Sequence, residues 1–259
     1  MNKYAETIEI IKKAIEVDGD DAAVLFYSAG GKDGIVLLDL LSKFYKKVIC
    51  VYMYLIPNLS HTDKYILWAK KNYNTEIIAL PHYQRTIMKK NGFYCIPIDE
   101  DGFYSQREVE DFVRTKLNKK IIYNGMKGVD GYMKRMRLKM YAKNGYRNNQ
   151  GVCFPLANWT NKECMRYIKS KMLIEPFSYD RTNGSQGLVL KIKELLYLRE
   201  NYRCDYDKIL KDFPFCEKII CDYERIQASG DRESYEEYTS LCELQPKKNK
   251  RRSQEGVEG

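Results

Sequence analysis

The stretch FYSAGGKDGIVLLDLL at 26–41 constrains the fold more than any other part of the sequence. An apolar run at 22–27 leads into it, and a leucine-rich helical pattern begins at Lys32. Nearly continuous apolar runs predict strands that are buried on both faces, as in parallel sheets with helices on each side. Glycines between such a strand and a helix allow a sharp turn and let an anion approach the backbone N–H groups. The sequence therefore predicts a strand, an anion-binding loop and a helix in succession.

Further apolar runs at 46–56, 75–80 and 119–125 alternate with helical patterns. The helical patterns cover 4–17, 32–45, 62–73, 105–117 and the segment after Thr160. Alternation of this kind predicts an α/β protein with a parallel sheet of about five strands flanked by helices. From residue 187 onward the pattern predicts helices up to a basic tail.

Local signals predict where several helices begin. Ser105-x-x-Glu108 and Thr160-x-x-Glu163 are capping boxes. The helical pattern at 62–73 begins with Thr62 and Asp63, and one of these two residues is the predicted N-cap of that helix. The helix at 4–17 has apolar residues at three- and four-residue spacing, which predict its buried side. These residues are Tyr4, Ile8, Ile11 and Ile15.

The composition favours a globular protein without membrane spans. Of the 259 residues 44% are hydrophobic and 31% charged, and the longest apolar run, at 48–56, is too short for a membrane helix. The N-terminal segment contains acidic residues and no long apolar core, which argues against a signal peptide. We therefore expect a cytoplasmic protein with no membrane association.

Eight cysteines are spread along the chain, and no Cys-x-x-Cys pair occurs. This usage predicts reduced thiols rather than a disulfide framework. Four cysteines lie toward the C-terminus, at 204, 216, 221 and 242, but their separations match no zinc signature. An iron–sulfur or zinc site is the alternative to ordinary thiols, and no side chain is predicted as a metal ligand.

Positive charge is concentrated in two places. The stretch 114–147 carries eleven Lys and Arg residues against one acid, Asp130, and the tail at 247–252 adds five cations within an overall net charge of +9. If the stretch 114–147 leaves the carboxyl end of a strand, it faces the glycine loop and can bind polyphosphate. The alternative is a nucleic-acid surface, since tyrosines at 132, 141 and 146 lie among the cations. For the tail we expect a solvated, disordered end.

The glycine loop differs from the two common nucleotide-binding loops. A Walker A loop needs Gly-Lys-Ser/Thr, but Asp33 follows Lys32, and the dinucleotide pattern Gly-x-Gly-x-x-Gly is absent. The loop resembles Ser-Gly-Gly-Lys-Asp-Ser, the pyrophosphate-binding loop of the PP-loop ATP pyrophosphatase (adenine nucleotide alpha hydrolase-like) superfamily. Gly30, Gly31, Lys32 and Asp33 match in order. The first serine falls on Ala29, with Ser28 one place earlier, and the last falls on Gly34.

Two later segments are similar to the phosphoadenosine phosphosulfate (PAPS) reductase-like family within that superfamily. In IIYNGMKGVDGYMKRMRLK at 121–139, the family pattern Gly-x-Arg-x-x-(Asp/Glu)-Ser is matched at Gly125 and Asp130, and Arg135 matches a following arginine. Lys127 replaces the first arginine and Gly131 the serine. The segment FPLANWT at 154–160 is similar to the family's Pro-Leu-x-x-Trp-Thr. The resemblance spans about residues 20–180 and implies a Rossmann-like fold of the HUP type.

The resemblance implies a nucleotide-binding domain at 1–180 and a set of site residues. The helical pattern and the composition beyond it predict a helical extension at 181–243 and a basic disordered tail at 244–259. The implied catalytic residues are Lys32, Asp33 and Arg135. The implied nucleotide-binding residues are Ser28, Gly30, Gly31, Lys32, Asp33, Gly34, Lys127, Asp130, Arg135 and Arg137. ATP or PAPS is the implied nucleotide, Mg²⁺ is expected with it, and adenine is expected near residues 52–55.

Several functions stay open at this point. The first is an adenine-nucleotide enzyme that acts at the α-phosphate of ATP or a sulfonucleotide, as an ATP pyrophosphatase or adenylyl transferase in sulfur chemistry. A strict thiol-dependent PAPS reductase is an alternative, although Cys242 lacks the Gly-Leu-His that follows the family's cysteine. Sulfur transfer to nucleic acid and a catalytically degenerate nucleotide-binding protein are two more. The stretch 114–147 and the tail at 247–252 are candidate surfaces for a nucleic-acid or protein acceptor.

Overall fold

The computed structural model describes residues 2–177 and 190–229. Five strands form one sheet, and all neighbouring strands in it are parallel. The strands are β1 (Ala23–Phe26), β2 (Val48–Tyr54), β3 (Thr75–Pro81), β4 (Ile122–Tyr123) and β5 (Val152–Cys153). Their order across the sheet is β3-β2-β1-β4-β5. The predicted α/β fold with a parallel sheet is confirmed.

Ten α-helices lie within the described residues. They are α1 (Lys3–Asp18), α2 (Lys32–Leu41), α3 (Ser60–Asn72), α4 (Tyr83–Lys90), α5 (Gln106–Leu117), α6 (Tyr132–Ala142), α7 (Asn161–Ser170), α8 (Ile192–Asn201), α9 (Arg203–Asp212) and α10 (Cys216–Ser229). A short 3-10 turn, Gly128–Asp130, precedes α6. The helix predicted at 32–45 ends at Leu41, and α4 and β5 had no counterpart among the predicted elements.

The side chains of β1 alternate between two hydrophobic clusters. Leu25 and Tyr27 belong to the larger cluster, to which α1, α2 and α7 also contribute. Val24 and Phe26 point to the other face, where they pack with α5. Successive side chains of a strand point to opposite faces, so a strand covered on both sides needs apolar residues at every position.

The buried face of α1 differs from the predicted one. Its buried residues are Thr7, Ile10, Ile11 and Ala14, so that Ile11 is the one predicted position among them. Thr7 can occupy the core because its hydroxyl has partners there. Its Oγ1 donates to the carbonyl of Pro155 at 2.9 Å and accepts from Trp159 Nε1 at 2.9 Å. The apolar spacing could not reveal a buried threonine that is fully hydrogen-bonded.

Helices α8–α10 pack against the end of β2 and the loops that follow it. Ile56, Leu59 and Cys95 share one hydrophobic cluster with residues of these helices. Arg85 of α4 binds Asp212 at the end of α9, with Nη1 and Oδ2 2.8 Å apart. No helix in the described part of the chain is both long and apolar enough to cross a bilayer. Cys242 and the predicted basic tail lie outside the described residues.

Candidate functional site

A cleft of about 760 Å³ opens at the carboxyl ends of the strands. The strand order reverses between β1 and β4, and ligands of open parallel sheets bind at such a switch point. Residues after β1, at the end of β2 and after β4 line the cleft, together with residues of α5 and α6. The predicted position of the glycine loop, at the end of β1, therefore coincides with the position that the fold favours for a ligand.

The glycines of the loop serve packing as much as ligand access. Gly30 has a φ of +85°, and a Cβ there would lie 2.9 Å from the Cβ of Phe177 and 3.0 Å from the Tyr65 ring. The Phe177 N–H also donates to the Gly30 carbonyl at 2.9 Å. A Cβ on Gly31 would collide with the hydroxyl of Ser28. Gly30 is buried and Gly31 is partly exposed, and neither lines the cleft.

The start of α2 supplies the surface that does face the cleft. Ser28, Ala29, Asp33 and Gly34 line it, and the Ser28 side chain is exposed there. The first backbone bond of the helix runs from the Ile35 N–H to the Gly31 carbonyl at 3.1 Å. The first N–H groups of a helix have no intrahelical acceptor and attract anions. The end of the cleft nearest to β1 is thus suited to a phosphate.

A buried lysine joins this helix to the segment after β4. Lys127 is completely buried, and its Nζ forms an ion pair with Asp33 Oδ2 and another with Asp130 Oδ1 at 3.3 Å. Burial would lower the pKa of the Lys127 ammonium, but the charges of Asp33 and Asp130 outweigh it and raise this pKa. A Cβ on Gly125 would lie 2.8 Å from the Cβ of Asp33, so the lack of a side chain at Gly125 allows the segment after β4 to pack closely against α2. Lys127 holds the two carboxylates that line the cleft, and it is not exposed to a ligand.

The Asp33 carboxylate also contacts α7. Its Oδ1 is buried and accepts no bond from a described N–H or O–H group, and the Cys164 thiol forms a hydrogen bond with the carboxylate. The residue as a whole lines the cleft. A carboxylate oxygen in this position suits a Mg²⁺ ion that is also bound by phosphate oxygens and water. Lys32 Nζ lies 3.9 Å from Asp33 Oδ2, and Lys32 is buried beside the cleft rather than in its lining.

The cations that reach the cleft come from α5 and α6. Lys134 and Arg137 of α6 line it, as does Arg107 of α5. Arg135 does not, because its side chain follows the preceding turn and its Nε donates to the Gly128 carbonyl at 3.4 Å. Lys134 and Arg107 were missed by sequence reasoning. The spacing of Lys134, Arg137 and Tyr141 marks one side of a helix and could have identified the first of them.

The opposite end of the cleft lies at the end of β2 and is mainly apolar. Leu55, Ile56 and Leu59 line it, and the Tyr52 hydroxyl donates to Thr62 Oγ1 at 3.2 Å. An apolar wall of this kind can pack against a flat heterocycle. Tyr52, Met53 and Leu55 of the segment 52–55, near which the resemblance implies adenine, line the cleft.

The start of α3 in this wall depends on a distant residue. The helix begins at Ser60 after Leu59, which has no capping side chain, so the predicted cap at Thr62 or Asp63 is wrong. Asp205 of α9 takes that role and accepts from the N–H groups of Ser60 and His61 at 2.8 and 3.0 Å. Burial would raise the pKa of Asp205, but these N–H groups and the His61 ring outweigh it and lower the pKa.

Polar side chains that sequence reasoning missed line the side of the cleft near β4. They are Gln106, Glu110, Asn124, Asn148 and Gln150. Burial raises the pKa of Glu110, although Gln106 donates to its Oε1 at 2.9 Å. Amide and carboxyl groups of this kind can bind the polar edge of a second substrate. They come from three separate segments, so spacing along the chain gives no signal for them.

The described cysteines do not form a site. No three His, Cys, Asp or Glu residues of the described segments converge as metal ligands, and no described cysteine lines the cleft. Cys204 and Cys221 are exposed, and the others in these segments are buried. Burial and the charge of Asp33 raise the pKa of the Cys164 thiol. This set of described residues does not fit an iron–sulfur cluster, and Cys242 lies outside it.

Comparisons with known proteins yield one family and distant structural similarity. No curated protein matches the chain. The U34-tRNA thiolase NcsA from Methanococcus maripaludis, solved with its 4Fe–4S cluster, is 13% identical, with coverage of 94% of this chain and 80% of that one and a TM-score of 0.42. The PAPS reductase from Candida auris, solved as a phosphate complex, is 17% identical, with coverage of 66% and 81% and a TM-score of 0.41.

The family model named "Phosphoadenosine phosphosulfate reductase domain" matches residues 23–180, a range that contains the glycine loop, Asp33, Lys127 and α6. It covers more than half of the chain, in agreement with the motifs at 28–34, 125–135 and 154–160. The chain therefore belongs to the PAPS reductase domain family.

Proposed function

We propose that this protein is an enzyme that binds ATP or a sulfonucleotide in the cleft and acts at the α-phosphate. One observation carries the proposal. The start of α2, with Ser28 before it and Asp33 in its first turn, opens into a cleft of about 760 Å³ at the switch point of a parallel sheet. Pockets of 300–1,000 Å³ are typical of small-molecule sites, so the cleft has room for a nucleotide and part of a second substrate.

The arrangement of the walls supports one orientation of the nucleotide. Phosphates would lie at Ser28 and the first turn of α2, where N–H groups and the helix dipole favour negative charge. The base would lie against Leu55 and Leu59 at the end of β2. The polar side near β4 would then be left for an acceptor.

In the proposed reaction a nucleophile of the acceptor attacks the α-phosphorus of ATP, the bond to the bridging oxygen breaks, and pyrophosphate leaves with the electron pair. Lys134 and Arg137 would neutralise the charge that develops on the leaving group. The Asp33 carboxylate, positioned by Lys127, would hold a Mg²⁺ ion, which would supply Lewis-acid stabilisation. The protein's main contribution is orientation and electrostatics.

The other functions predict different behaviour. A sulfonucleotide would bind in the same cleft, but reduction would require a reactive thiol, and no described cysteine lines it. Ala29 and Gly34 lack the hydroxyls of the family loop, so a degenerate protein would bind ATP without turnover. Nucleic acid is a candidate acceptor, and sulfur transfer to it would require ATP cleavage that depends on added RNA or DNA.

The test combines product analysis with three variants. ATP is incubated with the protein and Mg²⁺, and AMP and pyrophosphate are measured by chromatography, while calorimetry gives the affinity for ATP and PAPS. Lys134→Ala and Arg137→Ala should each weaken ATP binding about 10- to 150-fold, because a charge-assisted contact contributes about 1.5–3 kcal/mol. Arg135→Ala is the matched control, since Arg135 has the same charge on the same helix but does not line the cleft.

Formation of AMP and pyrophosphate would support the enzyme. Tight ATP binding without products, in the presence of RNA, DNA and sulfide, would support the degenerate protein. ATP affinity that is unchanged in both cleft variants, or lowered as much by Arg135→Ala, would contradict the proposed site.

A further inference from the structure

The outward face of α6 is an apolar stripe that the proposed reaction does not use. Tyr132, Met133, Met136 and Met140 are 69%, 65%, 41% and 73% exposed. At about 100° per residue these four side chains fall within roughly 100° of one another around the helix axis. Leu138, the buried residue of the helix, lies on the opposite side. We name these four residues the methionine stripe.

Cations flank the methionine stripe on both sides. Around the helix axis Lys139 lies along one edge and Arg137 along the other, and Lys143, the C-cap residue, lies at the C-terminal end of the stripe. No Asp or Glu occurs between Gly131 and Arg147. The other cations of the basic stretch are partly occupied elsewhere, since Arg114 pairs with Asp111 and Lys119 with Asp21. The unpaired charge of the stretch is therefore concentrated around this apolar surface.

This distribution distinguishes between kinds of partner. A nucleic-acid surface places cations at the centre of contact, where they meet phosphates. Here the centre is apolar and the cations form the rim, which is the organisation of a protein–protein interface. Flexible methionines are common on surfaces that bind amphipathic helices. A second copy of this helix would bring like charges together, so the partner has to be acidic.

We infer that the methionine stripe docks an acidic amphipathic helix of another protein. Apolar side chains of that helix pack on Met133, Met136 and Met140, and its carboxylates pair with Lys139 and Lys143. Because Lys134 and Arg137 on the neighbouring side of α6 line the cleft, the docked partner lies beside the cleft mouth. The inference does not depend on the chemistry that takes place in the cleft.

The test uses a designed probe. A fluorescein-labelled helical peptide carries leucines at helical i, i+3, i+4 and i+7 spacing and glutamates elsewhere, and its binding is followed by anisotropy. The matched peptide has serines in place of the leucines and the same charge. A labelled single-stranded RNA, a single-stranded DNA and vesicles with anionic lipid are tested in parallel, all at the same salt concentration.

We expect the leucine peptide to bind at least tenfold more tightly than the serine peptide. The triple variant Met133→Gln, Met136→Gln and Met140→Gln should lose at least tenfold of that affinity, and so should Lys139→Glu combined with Lys143→Glu. Glutamine keeps the helix propensity of methionine, so α6 should persist. Met172→Gln, at an exposed methionine outside α6, is the control and should bind as the wild type does.

Two results would overturn the inference. One is equal binding of the two peptides, or unchanged binding in the triple methionine variant. The other is tighter binding of RNA, DNA or vesicles than of the leucine peptide, together with its loss in the triple methionine variant. ATP affinity is measured on every variant and should stay unchanged, so failure here is distinguishable from failure of the proposed site.

Discussion

Lys127 and Lys134 lie seven positions apart in the same basic stretch, yet the structure gives them opposite environments. Lys127 is completely buried, and both of its carboxylate partners line the cleft. Lys134 is exposed on α6 and faces the cleft itself. We call Lys127 and its partners Asp33 and Asp130 the buried ion-pair cluster, and we call Lys134 and Arg137 the exposed cations of the cleft. A count of positive charges along the sequence does not separate these two roles, but burial does.

The difference is energetic as well as geometric. Removal of one member of a buried ion pair leaves an uncompensated charge and is strongly destabilising, whereas an exposed cation contributes little to stability. Mutations in the buried ion-pair cluster should therefore lower the free energy of unfolding, and mutations of the exposed cations should lower the affinity for the ligand. Each of the following predictions tests that division.

The largest effect is expected for Lys127→Ala. Asp33 and Asp130 would lose their shared partner, and the free energy of unfolding should fall by about 3–5 kcal/mol. Lys134→Ala should change it by less than about 0.5 kcal/mol. Urea denaturation of both variants measures this. Equal losses of stability in Lys127→Ala and Lys134→Ala would contradict this difference between the buried and the exposed lysine.

Gly30→Ala should be the next most destabilising change. The substituted Cβ would meet Phe177 at 2.9 Å at a φ of +85°, so overpacking and backbone strain together should cost about 2–4 kcal/mol. Gly145→Ala is the matched control, because Gly145 has a φ of +60° but nothing within 4 Å of its Cβ position. Its cost should be limited to about 1–2 kcal/mol of strain. The difference between the thermal unfolding temperatures of Gly30→Ala and Gly145→Ala separates the cost of overpacking from the cost of backbone strain.

Asp205→Asn tests whether the apolar wall depends on α9. Loss of the carboxylate that caps α3 should lower the free energy of unfolding by about 1–2 kcal/mol. It should weaken the binding of adenosine and ATP, while binding of tripolyphosphate at the loop stays unchanged. Asp207→Asn, at a half-exposed residue of the same helix that does not contact α3, is the control. A uniform loss for all three ligands would indicate general unfolding rather than displacement of α3.

The smallest effect concerns an ion pair whose two residues do not line the cleft. The Lys3 ammonium, with the Thr160 backbone, lowers the pKa of Glu163 to about 2. A lowered carboxyl pKa stabilises the fold above the unfolded value of about 4.3 and loses this contribution as the pH falls toward 2. Lys3→Ala should cost about 0.5 kcal/mol at pH 7 and less at pH 3, as measured by urea denaturation. A cost that grows at low pH would contradict the assignment.

Local signals were sufficient to predict much of the fold. The apolar runs at β1 and β2 identify strands because both faces of the sheet are covered there, and β3, at the sheet edge, is identified although none of its residues is buried. The capping box at Thr160 forms as expected, with the Thr160 side chain accepting from the Glu163 N–H at 3.2 Å. β5 has only two residues, in a short apolar segment interrupted by Pro155, so it depends on its pairing with β4 and was not recognised.

The site was harder to predict, because tertiary contacts decide which side chains face the cleft. The position of Leu138 fixes the rotation of α6, and with it whether Arg135 or Arg137 lines the cleft. Burial of Lys127 depends on two carboxylates, one of them 94 positions earlier in the chain. The motif identified the loop and Asp33, which are local, and their roles as ligand contacts stay predictions.

The Asp205 cap also has a consequence for synthesis of the chain. The bonds from Asp205 to the start of α3 span up to 145 residues, so the cap of α3 cannot form until α9 has been translated. At about 5–20 residues per second this delay is on the order of 10 s. During this time the nascent chain exposes the apolar surface around Leu59. A ribosome-bound chain that stops before residue 205 should therefore bind chaperones that the full-length protein no longer needs.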